Sequence, residues 1–577
     1  MPYLRFFLYF PCDFNQPCYA FYSKERTSAC MTATTLEGML APMRILAIDD
    51  LVESRSAMKK MLRILGANHV DIAMDGDEAT AFINHNSYDL VISDYNLGRG
   101  RDGQQILEEA RFTHKLKATA TFVMLTGENA MDMVMGAIEY EPDDYITKPF
   151  TIDVMRKRLN RILKVKQELH IINQAVDTDS KDAVLKLCDE QLVQKPRLAL
   201  RIKRIKGRTL ISMNRYQDAL DLFQEVADER PVNWAMLGIA TCQFHLNQLD
   251  ESETTLHKTI HEHPKYVQCF DLLSKIHLKR KQTKKAQFDL MQAAQISPKQ
   301  VLRQMELGRL AYANQDHEVA EKAFRQSVKL ARYSCYRSVK NYLFYAKSLQ
   351  HKLSESNGRD SRKASTEIFK TLDEARALYR ESDDSHFETY VIESTTYNLM
   401  GRDADAAAAA NKAAGLLEHM PTPTSGQQIS MAQAYLATKQ HAKAQDLLGV
   451  VDARRDLSLH DRRELERTKE GISEHVVRQY TTEINDKAIE YFERGQLSQA
   501  IDLLNQATSY KEAGIAVLLN AMQAKVTYMD QKGATKTLLN DVKDLVKRIG
   551  DIPPSDERYS RWQKLNKSYQ RLKRTAR

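Results

Sequence analysis

Two patterns of hydrophobic and polar positions divide the chain near residue 150. Before that point, four short apolar runs each end on polar residues. The runs and their ends are Ile45–Ile48 with Asp49-Asp50, Val91–Ser93 with Asp94, Phe122–Leu125 with Thr126, and Asp144–Thr147 with Lys148-Pro149. Short apolar runs are typical of buried strands, and open α/β sheets place their chemistry at the carboxyl ends of the strands. The pattern therefore predicts a sheet with aspartates, a threonine and a lysine at one edge.

A helical period replaces this pattern after Phe150. Residues 151–176 lack Pro and Gly, and their apolar positions recur at steps of three, four or seven. We expect the last helix of the α/β domain to continue through residues 151–176 as a connector with a basic outer face. Its apolar stripe could pack on the flanking domains or form a dimer seam. Fewer than four heptads are covered, which favours packing.

From about residue 177 one register recurs at a spacing of 33 to 34 residues. A small residue is followed by a second small residue after 12 positions, and by a large apolar residue after 4 more. Four such units start at Gly207, Ala240, Ser274 and Gly308. Small residues let two antiparallel helices approach closely. The spacing and residue classes resemble the tetratricopeptide repeat, which implies an all-α solenoid over residues 177–550.

The register is weaker beyond residue 335. Residues 336–380 indicate an irregular helical pair with a polar insertion at residues 354–360, and units starting at Ser394, Ala432 and Ala488 resume the pattern. A charged stretch separates the last two units, and residues 515–550 indicate one more helical pair. Residues 551–577 form a basic tail, for which we expect a solvated capping helix.

The polar strand ends before residue 150 suit phosphoryl transfer. Asp49, Asp50 and Asp94 would repel each other at one sheet edge unless a divalent cation lay among them, and oxygen-only ligands suit Mg²⁺. Asp94 would then be a nucleophile that forms an aspartyl phosphate, while Thr126 supplies a hydroxyl and Lys148 a point charge. The peptide bond before Pro149 is a candidate for the cis form.

Residues 43 to about 165 resemble the receiver domain of two-component response regulators, because every signature position is filled. The resemblance implies a doubly wound, flavodoxin-like parallel sheet of five strands. It also assigns roles to individual residues. Asp94 is the phosphoacceptor, Asp49, Asp50, Asp94 and the backbone carbonyl of Asn96 form the Mg²⁺ site, Thr126 and Tyr145 are the switch pair, and Lys148 contacts the phosphoryl group.

One loop departs from the family pattern. A proline usually follows the phosphoacceptor, and an Asp-Gly pair comes soon after it. Here Gly98 stands near the proline position, and Asp102-Gly103 comes one residue late. This change loosens the loop but moves no predicted ligand.

Composition bounds the class of protein. A chain of 577 residues is too long for one core and should hold at least two domains. With 43% hydrophobic and 28% charged residues it is typical of a soluble globular protein. The seven cysteines lack disulfide or zinc spacing, and no apolar run reaches membrane-spanning length, so we expect a cytoplasmic location. Residues 1–42 are interpreted as a disordered extension or a misassigned start, without a role in folding.

Charge is distributed unevenly along the chain. Residues 43–150 hold 11 Lys and Arg against 18 Asp and Glu, a balance of −7. Residues 1–42 hold three of each sign, and the whole chain carries +8, so residues 151–577 carry +15. We expect the acidic receiver and the basic helical region to attract each other.

Together these features predict a two-component response regulator. A sensor histidine kinase or phosphotransfer protein would phosphorylate Asp94 with Mg²⁺ as cofactor, and the receiver would control an unknown protein partner of the solenoid. We expect no enzymatic activity beyond the receiver's own phosphoryl transfer and dephosphorylation. A homodimer through the receiver or connector is compatible with the pattern. The alternatives are a constitutive scaffold whose receiver only docks, and a regulator that binds nucleic acid through its basic helices.

Overall fold

The computed structural model describes residues 34–98, 100–127, 141–355, 358–454, 457–508, 513–550, 552–553 and 556–575. Two compact units divide the chain between Ala375 and Arg376. The first unit holds an α/β domain and regular helix pairs, and the second holds further helices. A search of this described part finds no helix long and apolar enough to cross a membrane.

A parallel sheet of five strands forms the centre of the α/β domain. The strands are β1 (Arg44–Ile48), β2 (His69–Ala73), β3 (Leu90–Asp94), β4 (Thr121–Gly127) and β5 (Asp144–Lys148). Their order is β2-β1-β3-β4-β5, and every neighbouring pair is parallel. The order confirms the doubly wound, flavodoxin-like sheet, because the chain winds outward in both directions from β1 and β3.

Helices cover both faces of this sheet. They are α1 (Leu36–Leu40), α2 (Val52–Ile64), α3 (Gly76–His85), α4 (Gly103–Phe112) and α5 (Ile152–Glu168). Alternate residues of β1 enter opposite cores: Ile45 and Ala47 pack with α2 and α5, whereas Leu46 and Ile48 pack with α3 and α4. Burial on both faces explains why the strands are almost continuously apolar in sequence.

The domain begins earlier than the sequence indicated. Thr35 caps α1, and Met39 and Leu40 are buried in the same core as Leu159 of α5. The expectation that residues 1–42 have no role in folding is therefore wrong for residues 34–42, because this helix closes one end of the core. The helix has a single buried pair, which is too short a pattern for periodicity to detect. Residues 1–33 lie outside the described residues.

The connector is two helices rather than one. α5 ends at Glu168, and α6 (His170–Asp177) begins after a turn at Leu169. Four apolar residues of α5 are buried in the receiver core, whereas Leu169 and Ile172 are buried in a separate cluster with Val184. The apolar stripe therefore packs against two different cores, and the turn at Leu169 lets it reach both.

Regular helix pairs follow the connector in the first unit. They are α7 (Lys181–Gln194), a 3₁₀ turn (Pro196–Leu198), α8 (Ala199–Ser212), α9 (Tyr216–Glu229), α10 (Asn233–His245), α11 (Leu249–Glu262), α12 (Val267–Lys279), α13 (Thr283–Ile296), α14 (Val301–Ala313), α15 (His317–Ala331), α16 (Val339–Glu355) and α17 (Arg359–Leu378). Positive backbone φ angles of 58° to 66° recur at Asn214, Asn247, Lys281 and Gln315. The same tight turn thus joins the two helices in each of the four predicted register units.

Small and large residues of the register meet in space. The Phe223 ring lies so close to Gly207 and Gly238 that a Cβ at Gly207 would collide with it and one at Gly238 would lie 2.7 Å away. Phe324 stands in the same relation to Gly308, where an added Cβ would lie 2.6 Å away. Glycine therefore allows the aromatic rings of Phe223 and Phe324 to fill the grooves between their helices.

The second unit continues with less regular helices. They are α18 (Asp383–Leu399), α19 (Asp403–His419), α20 (Ser425–Ala437), α21 (His441–Asp452), α22 (Leu459–Glu493), α23 (Leu497–Thr508), α24 (Ile515–Lys532), α25 (Lys536–Ile549) and α26 (Tyr559–Thr575). The charged stretch between the last two register units lies largely within α22, which is 35 residues long. Tyr569 and Leu572 of the basic tail are buried in the core of this unit, so the tail packs on it as a closing helix.

Candidate functional site

Three strand ends bring charged side chains together at one edge of the sheet. Asp49 follows β1, Asp94 ends β3 and Lys148 ends β5. The ammonium Nζ of Lys148 lies 2.6 Å from Asp49 Oδ2 and 2.8 Å from Asp94 Oδ2. The side chain of Asp49 is fully buried, and that of Asp94 is 13% exposed. The predicted acceptor is thus reachable from solvent and paired with the predicted lysine.

Burial and charge set the protonation of this pair. Burial raises the pKa of Asp94, the hydrogen bond from Lys148 lowers it, and the net pKa stays above its ordinary value. Burial lowers the pKa of Lys148, but its hydrogen bonds to Asp49 and Asp94 outweigh burial, so the net pKa is raised. Lys148 therefore keeps its positive charge beside two carboxylates, whose mutual repulsion it reduces.

The carboxylates also fit a cation. Asp49, Asp50 and Asp94 each offer an oxygen atom, and these atoms lie within 4.8 Å of one another. The exposed Asp50 adds a ligand on the solvent side of the buried Asp49. Oxygen-only donors with open solvent positions suit Mg²⁺, which keeps part of its water shell and accepts a phosphate oxygen. Asn96, the fourth predicted contributor, lies exposed two residues beyond Asp94.

The two predicted switch residues lie on neighbouring strands. Thr126 is buried near the end of β4, and its hydroxyl donates to the carbonyl oxygen of Gly127 at 3.2 Å. Tyr145 lies on β5, and its buried hydroxyl oxygen has no hydrogen-bond partner among the described residues. A buried phenol without a partner has little energy to lose when it moves. The peptide bond between Lys148 and Pro149 is cis.

The loop after Asp94 packs tightly although its sequence departs from the family pattern. The amide of Gly103 donates to the carbonyl oxygen of Tyr95 at 3.0 Å. A Cβ at Gly103 would collide with the carbonyl oxygen of Asp94 and lie 3.0 Å from the sulfur of Met124. Asp102 caps α4 in a reciprocal pair with Gln105. Positive φ angles at Gly98 and Gly100 absorb the extra residue, so the Asp-Gly pair still reaches the strand end.

Sequence reasoning missed where the receiver meets the helix pairs. Glu141, just before β5, lies between Arg204 and Arg208 of α8: it forms an ion pair with each, and Arg208 Nη2 is 2.6 Å from both carboxylate oxygens. Arg111 of α4 holds the backbone oxygen of Glu141 at 2.6 Å. We call Glu141, Arg204 and Arg208 the arginine contact. Its only sequence signal was the opposite charge of the two regions.

A second contact forms next to the acceptor strand. Lys299, in the turn before α14, donates to Asp102 Oδ2 at 2.9 Å and lies 4.7 Å from the centre of the Tyr95 ring. Burial lowers the pKa of Lys299. The interactions with Asp102 and Tyr95 outweigh this effect, so the net pKa is raised and the lysine stays charged. We call Lys299, Asp102 and Tyr95 the lysine contact. Ser334 adds a buried hydrogen bond to Glu108 of α4 at 2.9 Å.

The connector also holds the receiver directly. The carboxylate of Asp177, the last residue of α6, accepts hydrogen bonds from the backbone amides of Ala118 and Thr119 at 2.5 Å and 3.1 Å. Lys166 of α5 donates to the carbonyl oxygens of Ala118 and Ala120. Hydrogen bonds from both connector helices therefore fix the segment before β4.

Comparison with known proteins agrees with this geometry. Residues 45–160 match the response regulator receiver domain, and residues 210–276 match the tetratricopeptide repeat. Chemotaxis protein CheY-3 of Vibrio cholerae is 31% identical over 122 residues, which cover 21% of this chain and 92% of that protein. Chemotaxis protein CheY of Pseudomonas aeruginosa is 30% identical over 122 residues, which cover 21% and 97%.

A solved receiver domain of a Francisella response regulator is 27% identical, with a TM-score of 0.20, and covers 21% of this chain and 98% of that domain. The receiver match agrees with the order of the strands and with the pairing of Asp94 and Lys148. The second match agrees with the helix pairs that follow the receiver. The chain therefore belongs to the response regulator receiver family, and it joins its receiver to a region of tetratricopeptide repeats.

Proposed function

We propose that a sensor histidine kinase or phosphotransfer protein phosphorylates Asp94, and that this modification controls which protein the repeats bind. The observation that carries the proposal is the position of Lys148, whose ammonium lies 2.8 Å from Asp94 and 2.6 Å from Asp49. A cation at that distance offsets the negative charge that a phosphoryl group brings to an aspartate.

The proposed step uses the side chains of the sheet edge. A carboxylate oxygen of Asp94 attacks phosphorus, an O–P bond forms, and the bond from phosphorus to the donor atom breaks with its electron pair on the donor. Lys148 holds the carboxylate in place and neutralises part of the transferred charge. The hydroxyl of Thr126 would donate to a phosphoryl oxygen. Asp49, Asp50 and Asp94, with the carbonyl of Asn96, would hold Mg²⁺, which supplies positive charge to the phosphoryl oxygens when it is bound.

The output in this proposal is protein binding rather than catalysis. Tetratricopeptide arrays provide extended concave surfaces for protein partners. The receiver contacts the helix pairs of the first unit through Glu141, Asp102 and Glu108. Beyond the receiver's own phosphoryl transfer and dephosphorylation we propose no enzymatic activity. The described cysteines form no disulfide, which supports a reducing compartment, and we place the protein in the cytoplasm.

Intact-mass measurement tests the acceptor. With Mg²⁺ and acetyl phosphate, the wild-type chain should gain one phosphoryl group that hydroxylamine removes, and Asp94→Asn should gain none. Asp153→Asn is the matched control, because Asp153 is an exposed receiver aspartate paired only locally with Arg156. A phosphate resistant to hydroxylamine, located on Ser or Thr, would contradict the assignment of Asp94.

The metal site has its own test. Asp50→Asn removes an exposed carboxylate, so the fold should be unaffected while the Mg²⁺ affinity falls by about tenfold or more. Isothermal titration of both chains with Mg²⁺ measures this difference. Equal affinities would remove Asp50 from the site. Equal partner binding by phosphorylated and unphosphorylated chains would instead support a constitutive scaffold.

A further inference from the structure

The arginine contact has the form of a binding site for a carboxylate. Arg204 and Arg208 lie one turn apart on α8 and converge on the same carboxylate of Glu141. The Arg204 guanidinium also lies 5.7 Å from the centre of the Trp234 ring on α10. Two cations and an aromatic ring supplied by adjacent helix pairs are suited to hold an acidic side chain in one orientation.

Glu141 satisfies this site only in part. Among the residues that the structure describes, the buried Nε of Arg204 has no hydrogen-bond partner, so one donor of its guanidinium is unused by them. Burial lowers the pKa of Arg204, and the like charge of Arg208 lowers it further. The nearby Arg201 adds a third positive charge. A segment with several carboxylates would offer more acceptors than this single glutamate.

Glu141 is also held in an unfavourable backbone conformation. Its φ angle is +46°, a left-handed value that is unfavourable for a residue with a Cβ. The guanidinium of Arg111 holds its carbonyl oxygen at 2.6 Å, which helps to maintain the conformation. Departure of Glu141 from α8 would let this strain relax, so a competing ligand meets less resistance.

We propose that Arg204 and Arg208, with the Trp234 ring, form a docking site for an acidic segment of a partner protein, and that Glu141 of the receiver fills this site until Asp94 is phosphorylated. The inference rests on the proposed phosphorylation for its second part only. The site and its internal occupant are properties of the unmodified chain.

The position of Tyr145 connects Asp94 with Glu141. Tyr145 lies on β5, four positions after Glu141, and its ring packs against the core that holds Tyr95. Burial raises the pKa of Tyr145, and the charges of Glu141 and Tyr95 add to this rise. Tyr95 directly follows the acceptor Asp94. Because the Tyr145 hydroxyl has no hydrogen-bond partner within the described part of the chain, a shift of this ring toward Thr126 breaks no hydrogen bond there. Such a shift would change the packing around Glu141 and weaken the arginine contact.

Competition for the site can be measured with the full-length chain. The probe is a fluorescein-labelled peptide of consecutive glutamates, followed by fluorescence anisotropy at fixed ionic strength. Glu141→Gln should bind the peptide about fivefold or more tightly than wild type, because the internal competitor loses its charge. Asp153→Asn removes one negative charge from a receiver residue that pairs only within its own helix, and it should bind as wild type does.

Further arms separate the site from the phosphorylation. The double variant Arg204→Gln with Arg208→Gln should abolish tight peptide binding. If it does not fold, Arg208→Gln alone tests the same loss of binding, because Arg208 is exposed and its replacement should not disturb the fold. Arg215→Gln is the control for lost positive charge, because Arg215 pairs with Asp218 on the next helix. Beryllofluoride with Mg²⁺ should raise the affinity of wild type toward that of Glu141→Gln.

Each outcome decides one part of the inference. Equal peptide affinity of wild type and Glu141→Gln, or unchanged affinity after loss of both arginines, would overturn the docking site. A tighter Glu141→Gln together with no response to beryllofluoride would keep the site and overturn its control by Asp94. If the mass measurement also shows no acyl phosphate, the proposed function itself fails while the docking site stands.

Discussion

The receiver touches the helix pairs through two contacts of opposite design. In the arginine contact one receiver carboxylate, Glu141, lies between two guanidinium groups of α8. In the lysine contact one ammonium of the repeats, Lys299, lies between the Asp102 carboxylate and the Tyr95 ring. The first places a receiver residue into the repeats, and the second places a repeat residue against the receiver.

The difference lies in the distance to the acceptor along the chain. Tyr95 directly follows Asp94 in the chain. Asp102 precedes Gly103, whose amide donates a hydrogen bond to the carbonyl oxygen of Tyr95. Glu141 lies farther from Asp94 along the chain, and Tyr145, four positions after Glu141, packs against the core that holds Tyr95. If Asp94 is phosphorylated as proposed, we expect the lysine contact to respond to the modification and the arginine contact to hold or release the receiver.

Charge reversal at Glu141 should have the largest effect. The Glu141 side chain is only 25% exposed. Glu141→Lys replaces its two ion pairs by repulsion from two arginines, which should cost about 3 kcal/mol of the free energy that holds the receiver on α8. Hydrogen exchange of residues 199–212 should therefore increase strongly. Asp153→Lys, the control at an exposed receiver site, should leave this exchange unchanged. Unchanged protection in Glu141→Lys would show that the arginine contact does not hold the receiver.

A methyl group at Gly103 should have the next largest effect. Gly103→Ala drives a Cβ into the carbonyl oxygen of Asp94 and should destabilise the receiver by about 2 kcal/mol. Gly127→Ala is the matched control at the same sheet edge, where an added Cβ meets nothing within 4 Å. Urea unfolding of both variants measures the difference. Equal midpoints would mean that the link between Asp94 and Asp102 is not rigid.

Loss of the lysine contact should weaken the packing of the receiver on the repeats only slightly. It should strongly reduce the response of the repeats to beryllofluoride. Lys299→Gln removes a partly exposed ion pair, which costs about 1 kcal/mol or less. The change in exchange of residues 199–212 on adding beryllofluoride should shrink, because Tyr95 and Asp102 lose the lysine they hold. Lys258→Gln, at an exposed repeat lysine, is the control. A full response in Lys299→Gln would assign sensing to Tyr145 alone.

The smallest expected effect concerns the resting charge of Asp94. Burial raises the pKa of Asp94, so ionising it at neutral pH destabilises the folded receiver. Asp94→Asn should therefore raise the melting temperature slightly at pH 7, by about 2 °C or less. The gain should shrink as the pH falls through the pKa of folded Asp94 toward the ordinary value of 3.8. An increase in melting temperature that becomes larger at lower pH would contradict the conclusion that ionised Asp94 destabilises the folded receiver.

Local sequence patterns were enough to predict the sheet and the strand ends at which the candidate site lies. Apolar runs that end on Asp49, Asp94, Thr126 and Lys148 place these side chains at one edge, since parallel strands share a carboxyl end. The repeats were equally visible, because each unit must place a small residue against a large one, as Gly308 and Phe324 do. Both features are set by neighbours in sequence or by a fixed repeat.

Contacts between distant segments were not visible in the same way. Glu141 and Arg208 are 67 positions apart, and Asp102 and Lys299 are 197 apart, so no periodicity relates them. The net charges of the two regions gave the sign of the attraction but not the partners. The turn at Leu169 was missed because the apolar stripe continues across it. Before the turn the apolar residues are buried in the receiver core, and from Leu169 onward they are buried in a different cluster. Helix α1 was missed because one buried turn carries no period.

Hydrogen exchange of the full-length chain with and without Mg²⁺ and beryllofluoride tests the central claim most directly. If phosphorylation of Asp94 withdraws Glu141 from Arg204 and Arg208, exchange should increase together in residues 95–112 and residues 199–212 of wild type. Asp94→Asn should show neither change. A wild-type response confined to the strand ends around Asp94 and Thr126, with residues 199–212 equally protected in both states, would contradict the claim that the acceptor controls the arginine contact.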